Sequence, residues 1–318
     1  MSAPPPMPAV ETSMSLRTWG MLGLLSLMWG CSFPFVKVAL GGFPPLTLVM
    51  LRVVIAVVAL TPVLYFSREG FPRGARIWGA FLVIGALNNI VPWVLSVWAQ
   101  QSVTASFAAI VNATTPLFSV LIAPFFLADE RLRANRLAGV VVGLAGVAVL
   151  IGPDALGHGA DRVLPELAMI GAALAYAFGG VVGRNYARLG LTPLQSAHGQ
   201  LAASSLMIAP LALAFEQPWR APMPNSVQIV SMLALGLVST AIAFILFFRI
   251  LARAGATNAL LVTLLVPVTA FLVSAIFLGE PLEPRNLLGL AFIAAGLGLI
   301  DGRPLAYLHA RFFAPRTL

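Results

Sequence analysis

The chain has 318 residues, of which 59% are apolar and only 9% charged, a balance that leaves too little polar surface for a water-soluble fold of this size. Its formal net charge of +8 rests almost wholly on arginines at the ends of apolar runs, which marks a membrane-topology signal and excludes a nucleic-acid partner. The single cysteine, Cys31, rules out an internal disulfide.

Residues 1–15 are Pro-rich and polar, lack the basic start of a signal peptide, and read as a disordered cytoplasmic tail. Ten apolar runs follow, at about 18–40, 45–66, 77–98, 104–127, 137–151, 167–186, 194–215, 227–248, 257–278 and 287–300. Most reach the roughly 20 residues that a helix needs to cross about 30 Å of hydrocarbon. The fifth and tenth, with 15 and 14 uncharged residues, are expected to be short and peripheral. The expected fold is an all-α membrane protein of ten transmembrane helices. Residues 152–165 read as an outer-face linker and 303–318 as a second cytoplasmic tail.

The runs fall into two copies, 16–151 and 166–302. Trp29 pairs with Tyr176, Lys37 with Arg184, Pro45 with Pro193, Gly85 with Gly236, and Asn88, Asn89 with Ser239, Thr240. Pro116, Glu130, Gly139 and Gly146 pair with Pro267, Glu280, Gly289 and Gly296 in the same order. Five spans per copy is an odd number, so the second copy enters the membrane inverted. Arginines agree: 14 fall on one side and 3 on the other, with equivalent loops carrying opposite bias. Both termini are expected to be cytoplasmic.

Several mid-span residues carry candidate chemistry. Pro116 and Pro267 each remove a helix hydrogen bond and free the carbonyls of Asn112 and Thr263, so they serve as hinges beside a polar site or simply shape helix packing. Asn88 and Asn112, with Ser239 and Thr263, are polar groups that face protein or water, either lining a cavity or bonding another helix. Trp29 and Tyr176, with Trp93, either clamp a ligand or pack against lipid and neighbours. Arg52 lies about 10 Å into the second span at about 1.5 Å per residue, where it holds a substrate carboxylate or bonds carbonyls at a helix break. His198 is a protonation site or a helix–helix hydrogen bonder, and Lys37 is expected to snorkel outward.

All 11 acidic residues lie in loops, tails or span ends, which favours a facilitated or gradient-driven carrier over proton antiport. Glu130 and Glu280 are expected to cap or salt-bridge the turns before the fifth and tenth helices. Gly139, Gly143, Gly146, Gly289 and Gly296 form small-residue faces for packing within the chain or for a homodimer. No metal-ligand cluster, HExxH, GxSxG or in-span carboxylate pair points to an enzyme or a cofactor.

The paired landmarks, Trp29, Gly30, Lys37, Pro45 and Arg52 together with the Pro116–Gly146 and Pro267–Gly296 blocks, resemble the EamA family of the drug/metabolite transporter superfamily over residues 18–301. The resemblance implies ten helices and export of small metabolites, often amino acids, with lipid bilayer and small-molecule substrate as partners. A composition with one lysine among 19 basic residues adds a bacterial inner (plasma) membrane as the expected location. The second copy departs at Arg52, whose counterpart is Gln200. Alternatives are a carrier of phosphorylated or nucleotide sugars, which would call for several inward cations, and a structural membrane partner.

Overall fold

The computed structural model describes residues 15–67, 69–127, 134–151, 160–186, 189–259, 261–281 and 283–301. The expected tails (apart from Ser15), residues 152–159 of the linker, and Glu130 lie outside these. Every regular element among the described residues is helical.

Helices α1 (Leu16–Gly30) and α2 (Ser32–Ala39) form the first span, interrupted at Cys31 where Pro34 removes a donor and Ser32 Oγ donates to Trp29 O at 2.6 Å. α3 (Pro45–Phe66) starts on a proline at its first position, preset for helix. α4 (Ala75–Gly85) runs through a π-helical segment, Ala86–Ile90, into α5 (Val91–Ala99). α6 (Ala105–Asn112) and α7 (Thr115–Phe126) are halves of one span broken before Pro116, followed by α8 (Ala134–Ile151) and α9 (Ala160–Tyr186). α10 (Pro193–Phe215) opens with a Thr192–Gln195 capping box. α11 (Ser226–Gly236) passes through a second π-helical segment, Leu237–Ile242, into α12 (Ala243–Ala259), and α13 (Val262–Leu278) and α14 (Pro284–Asp301) complete the order.

Eight of these helical segments are long and apolar enough to cross a membrane; Leu265–Leu278 and Pro284–Ile300 are apolar but shorter. The fifth run, expected to be short, forms an 18-residue helix because it extends back over Arg136 and Asn135 to Ala134. The ninth, expected at 257–278, is instead divided: α12 continues through Ala259 and α13 starts at Val262. The linker expected at 152–165 is shorter than expected, since α9 begins at Ala160 and carries Pro165 within it.

Two apolar cores organise the bundle. One joins Leu22 and Leu25 of α1 with Ile110, Val266, Phe271 and Ile293; the other joins Leu48 and Val53 of α3 with Trp93, Leu201, Ile208 and Leu235. Large side chains such as Val141, Leu206 and Ile276 remain exposed around the outside, as a bilayer-facing surface requires.

Side chains tie the helix ends. Glu216, beyond α10, accepts from Leu46 N, Thr47 N and Thr47 Oγ1 at 2.8, 2.6 and 2.8 Å, closing the first turn of α3. At the other end of the same antiparallel pair, the Thr192 hydroxyl donates to Glu69 Oε2 at 2.5 Å and Gln195 Nε2 to Glu69 O at 2.8 Å. Glu280 accepts from Ala105 N, Ser106 N and Ser106 Oγ at 2.8, 3.0 and 2.5 Å. It therefore caps α6, from another part of the chain, rather than the helix that follows it. Lys37 does not snorkel: its Nζ donates to Gln100 O at 2.6 Å and Val103 O at 2.9 Å, closing the end of α5.

α8 and α14 meet backbone to backbone. A Cβ on Gly139 would stand 2.5 Å from Gly296 O, and one on Gly146 would stand 2.8 Å from Gly289 O. The glycine faces are thus filled within the chain. Gly146→Ala and Gly296→Ala are each expected to destabilise the protein by roughly 1–3 kcal/mol through overpacking, read as thermal unfolding in detergent. Gly180→Ala, where a Cβ meets nothing within 4 Å, should leave the transition in place.

Candidate substrate site

The two π-helical segments follow Gly85 and Gly236, and each glycine lets its helix press against a neighbour. A Cβ on Gly85 would lie 2.9 Å from Gln200 O of α10, and one on Gly236 would lie 2.7 Å from Ile55 and 3.4 Å from Arg52 O of α3. A π turn adds a residue to the helical repeat and turns the following side chains onto a new face. In the second segment Thr240 Oγ1 donates to Leu235 O, five residues back, at 2.8 Å. That same hydroxyl accepts from Arg52 Nε at 2.9 Å.

Arg52 is 7% exposed, and its guanidinium carbon lies 3.7 Å from the centroid of the Trp93 ring, a cation–π stack. The indole N–H of Trp93 donates to the Tyr176 hydroxyl at 2.6 Å. Four helical segments thus supply one polar and aromatic cluster: α3 Arg52, α5 Trp93, α9 Tyr176 and the second π segment Thr240. Rings continue from it along α12, Trp93 to Phe244 at 6.5 Å, Phe244 to Phe248 at 6.2 Å, Phe248 to Phe247 at 5.4 Å, and Phe247 to Trp29 of α1 at 5.3 Å.

The remaining sequence candidates are placed as follows. Asn88 packs on Gly179 of α9, where a Cβ would fall 1.9 Å from Asn88 Oδ1. Asn112 ends α6, half-buried; the carbonyl that Pro116 frees is bonded by Thr115 Oγ1 at 2.8 Å. Thr263 stands in the first turn of α13, and Pro267 lies inside that helix. Ser239 is fully buried, with no hydrogen-bond partner for its hydroxyl among the described residues. His198 is apart from the cluster: its Nε2 pairs with Thr61 Oγ1 at 3.0 Å and its ring packs on Phe71.

The sequence marked Thr240 and Asn89 only as paired landmarks of the repeat, not as site residues, and did not single out the α12 phenylalanines. Asn89, fully buried, donates to Ser204 Oγ at 2.9 Å and so joins the first π segment to α10. The available signal was the spacing of Phe244, Phe247 and Phe248 at i, i+3 and i+4, one helical face.

The EamA-like transporter family matches residues 18–152 and again 163–300. The chain belongs to this family. It is similar to a probable terminal-alkyne amino-acid exporter of Streptantibioticus cattleyicolor, 29% identical over 92% of this chain and 95% of that one. It is also similar to the uncharacterized transporter YoaV of Bacillus subtilis, 25% identical over 87% and 94% of the two chains, and to the uncharacterized inner membrane transporter YedA of Escherichia coli K12, 26% identical over 90% of each. A protein of known crystal structure shares the fold with a TM-score of 0.66 at 22% identity, covering 90% of this chain and 98% of that one. The protein is therefore a multi-pass membrane transporter and not an enzyme.

Thr240→Val removes the only hydrogen bond that Arg52 makes among the described residues. It is expected to cost about 1.5–3 kcal/mol, the range for a bond to a charged group, measured as a lowered thermal midpoint in detergent.

Proposed function

We propose that this protein exports small metabolites, most fittingly amino acids or related compounds, across a bacterial inner membrane by alternating access around the Arg52, Trp93, Tyr176 and Thr240 cluster. The observation that carries this reading is the cluster itself: a buried cation and aromatic donors drawn from both halves of the chain, in a family of transporters. The similarity to a probable amino-acid exporter supports the substrate class. Trp29, Asn88, Asn112, Ser239, Thr263 and His198 are included as further substrate-lining positions, and Pro116 and Pro267 as the bending points.

The proposed architecture is ten transmembrane helices in two inverted five-helix halves. Reciprocal contacts support it. Gly139 and Gly289 are sequence counterparts, as are Gly146 and Gly296, and the contacts cross over, Gly139 with Gly296 and Gly146 with Gly289. A two-fold axis generates that pattern, in which residue i meets j and the counterpart of i meets the counterpart of j. The ties between α3 and α10 follow it at the level of the elements: Glu216 past the end of α10 holds Thr47 at the start of α3, and Glu69 past the end of α3 holds Thr192 at the start of α10. With both termini cytoplasmic, the ends held by Glu216, Glu280 and Lys37 face outward.

In a Cys31→Ala background, single cysteines at Gly157 and Ser226 should react with an impermeant maleimide added to intact cells, while those at Arg73 and Arg253 should not. Reaction at the latter pair would reverse the orientation. Glu166, outside the sixth run expected at 167–186, stands buried in the first turn of the span Val163–Arg184, and no acidic group among the described residues falls in the middle of a span. As such a carrier, the protein should let substrate equilibrate across proteoliposomes without a pH gradient, and His198→Gln should leave the final distribution unchanged. Accumulation driven by pH alone would make it an antiporter, and its loss in His198→Gln would make His198 the coupling group.

A further inference from the structure

Arg52 is the one buried arginine among the described residues, and its surroundings are a surplus of donors. Of its guanidinium nitrogens only Nε has a hydrogen-bond partner, the neutral Thr240 hydroxyl; Nη1 and Nη2 donate to nothing among the described residues. Tyr176 accepts from Trp93, which leaves the phenolic proton free to be donated onward. Glu69, Glu216, Glu280 and Glu283 lie beyond helix ends, Glu166 is buried near the start of α9, and none of them pairs with Arg52. Burial of an unpaired cation costs several kcal/mol, and a cation–π stack returns only about 2. The remaining cost is met when an anion arrives.

The geometry of the two unbonded N–H groups defines that anion. A guanidinium presents parallel N–H groups that match a planar carboxylate. The Trp93 ring holds the guanidinium carbon 3.7 Å from its centroid and Thr240 holds Nε, so Nη1 and Nη2 are the groups left to bind. The charge is single: the counterpart position on α10 is Gln200, buried and neutral, and the Lys37 ammonium is already bonded to two carbonyls at a helix end. A phosphate monoester, carrying about −1.5 to −2 near pH 7, would be left with uncompensated charge. The rings of Phe244, Phe247 and Trp29 continue the surface away from the cation and suit an apolar remainder.

We propose that Arg52 is the carboxylate receptor of the transport site, with Tyr176 as a second donor, and that the cargo is a small organic monocarboxylate, zwitterionic amino acids included. This assignment rests on the exporter reading and narrows it. The test uses proteoliposomes of the full-length protein in a counterflow assay with radiolabelled L-amino acids, each beside its carboxamide and its decarboxylated amine, and with O-phosphoserine. Wild type is expected to exchange the acids at least about tenfold faster than the matching amides and amines, the scale of one charge-assisted bond. Arg52→Gln, checked for folding by gel filtration and thermal unfolding, should lose at least that factor for the acids, and Arg52→Lys should retain part of it. A purely structural role would lower all fluxes together. Equal exchange of acid and amide, rapid exchange of O-phosphoserine, or undiminished acid flux in folded Arg52→Gln overturns the assignment while leaving export standing. Absence of flux for every compound, relative to empty liposomes, overturns the exporter reading beneath it.

Discussion

A polar group inside hydrocarbon has no water to turn to, and every irregularity in this bundle is arranged around that fact. Where Pro116 breaks the fourth span, Thr114 and Thr115 return their hydroxyls to Val111 O and Asn112 O at 2.6 and 2.8 Å. Where α5 ends, an ammonium takes two carbonyls; where α3 and α6 begin, carboxylates take the first amides. The ionic groups near the ends of the spans thus serve as substitutes for solvent, which explains why a chain with so little charge spends it there.

The site obeys the same rule in part. Backbone groups at the π segments find partners, Thr240 bonds both Leu235 and Arg52, and Trp93 finds Tyr176. At the cluster the guanidinium Nη groups stay unmatched among the described residues, and in the two π segments beside it so do the Ser239 hydroxyl and the acceptor Asn89 Oδ1. The ring sequence from Trp93 to Trp29 carries this surface of donors and aromatic rings across the bundle.

Most of the helical elements were legible because hydropathy over some twenty residues is a strong average that local detail does not disturb. Trp29, Arg52, Trp93 and Tyr176 were also legible, as aromatic or charged groups at depths where such groups are costly. Their assembly was not. Ser239 and Thr240 are adjacent hydroxyls that the repeat marks equally, and the π turn decides which of them meets Arg52. Nothing in the residues of that segment beyond a preceding glycine announces an extra residue per turn. The partners of Glu280 and Lys37 were equally hidden, since they are backbone groups of helices far along the chain and backbone groups leave no mark in a sequence. The α12–α13 boundary shifted because the expectation rested on uncharged length alone, whereas helix continues through Arg253.

The contact between α8 and α14 has a mechanical meaning. Helices separated by side chains can slide, because rotamers yield and refill the gap, but here carbonyl oxygens rest on glycines at two levels. A slide of half a turn in either direction drives Ile293 or Ile300 into space already taken by backbone. With backbone against backbone at two levels and few side-chain atoms between, the two helices are built to resist shear, which leaves displacement to the elements whose contacts are made by side chains.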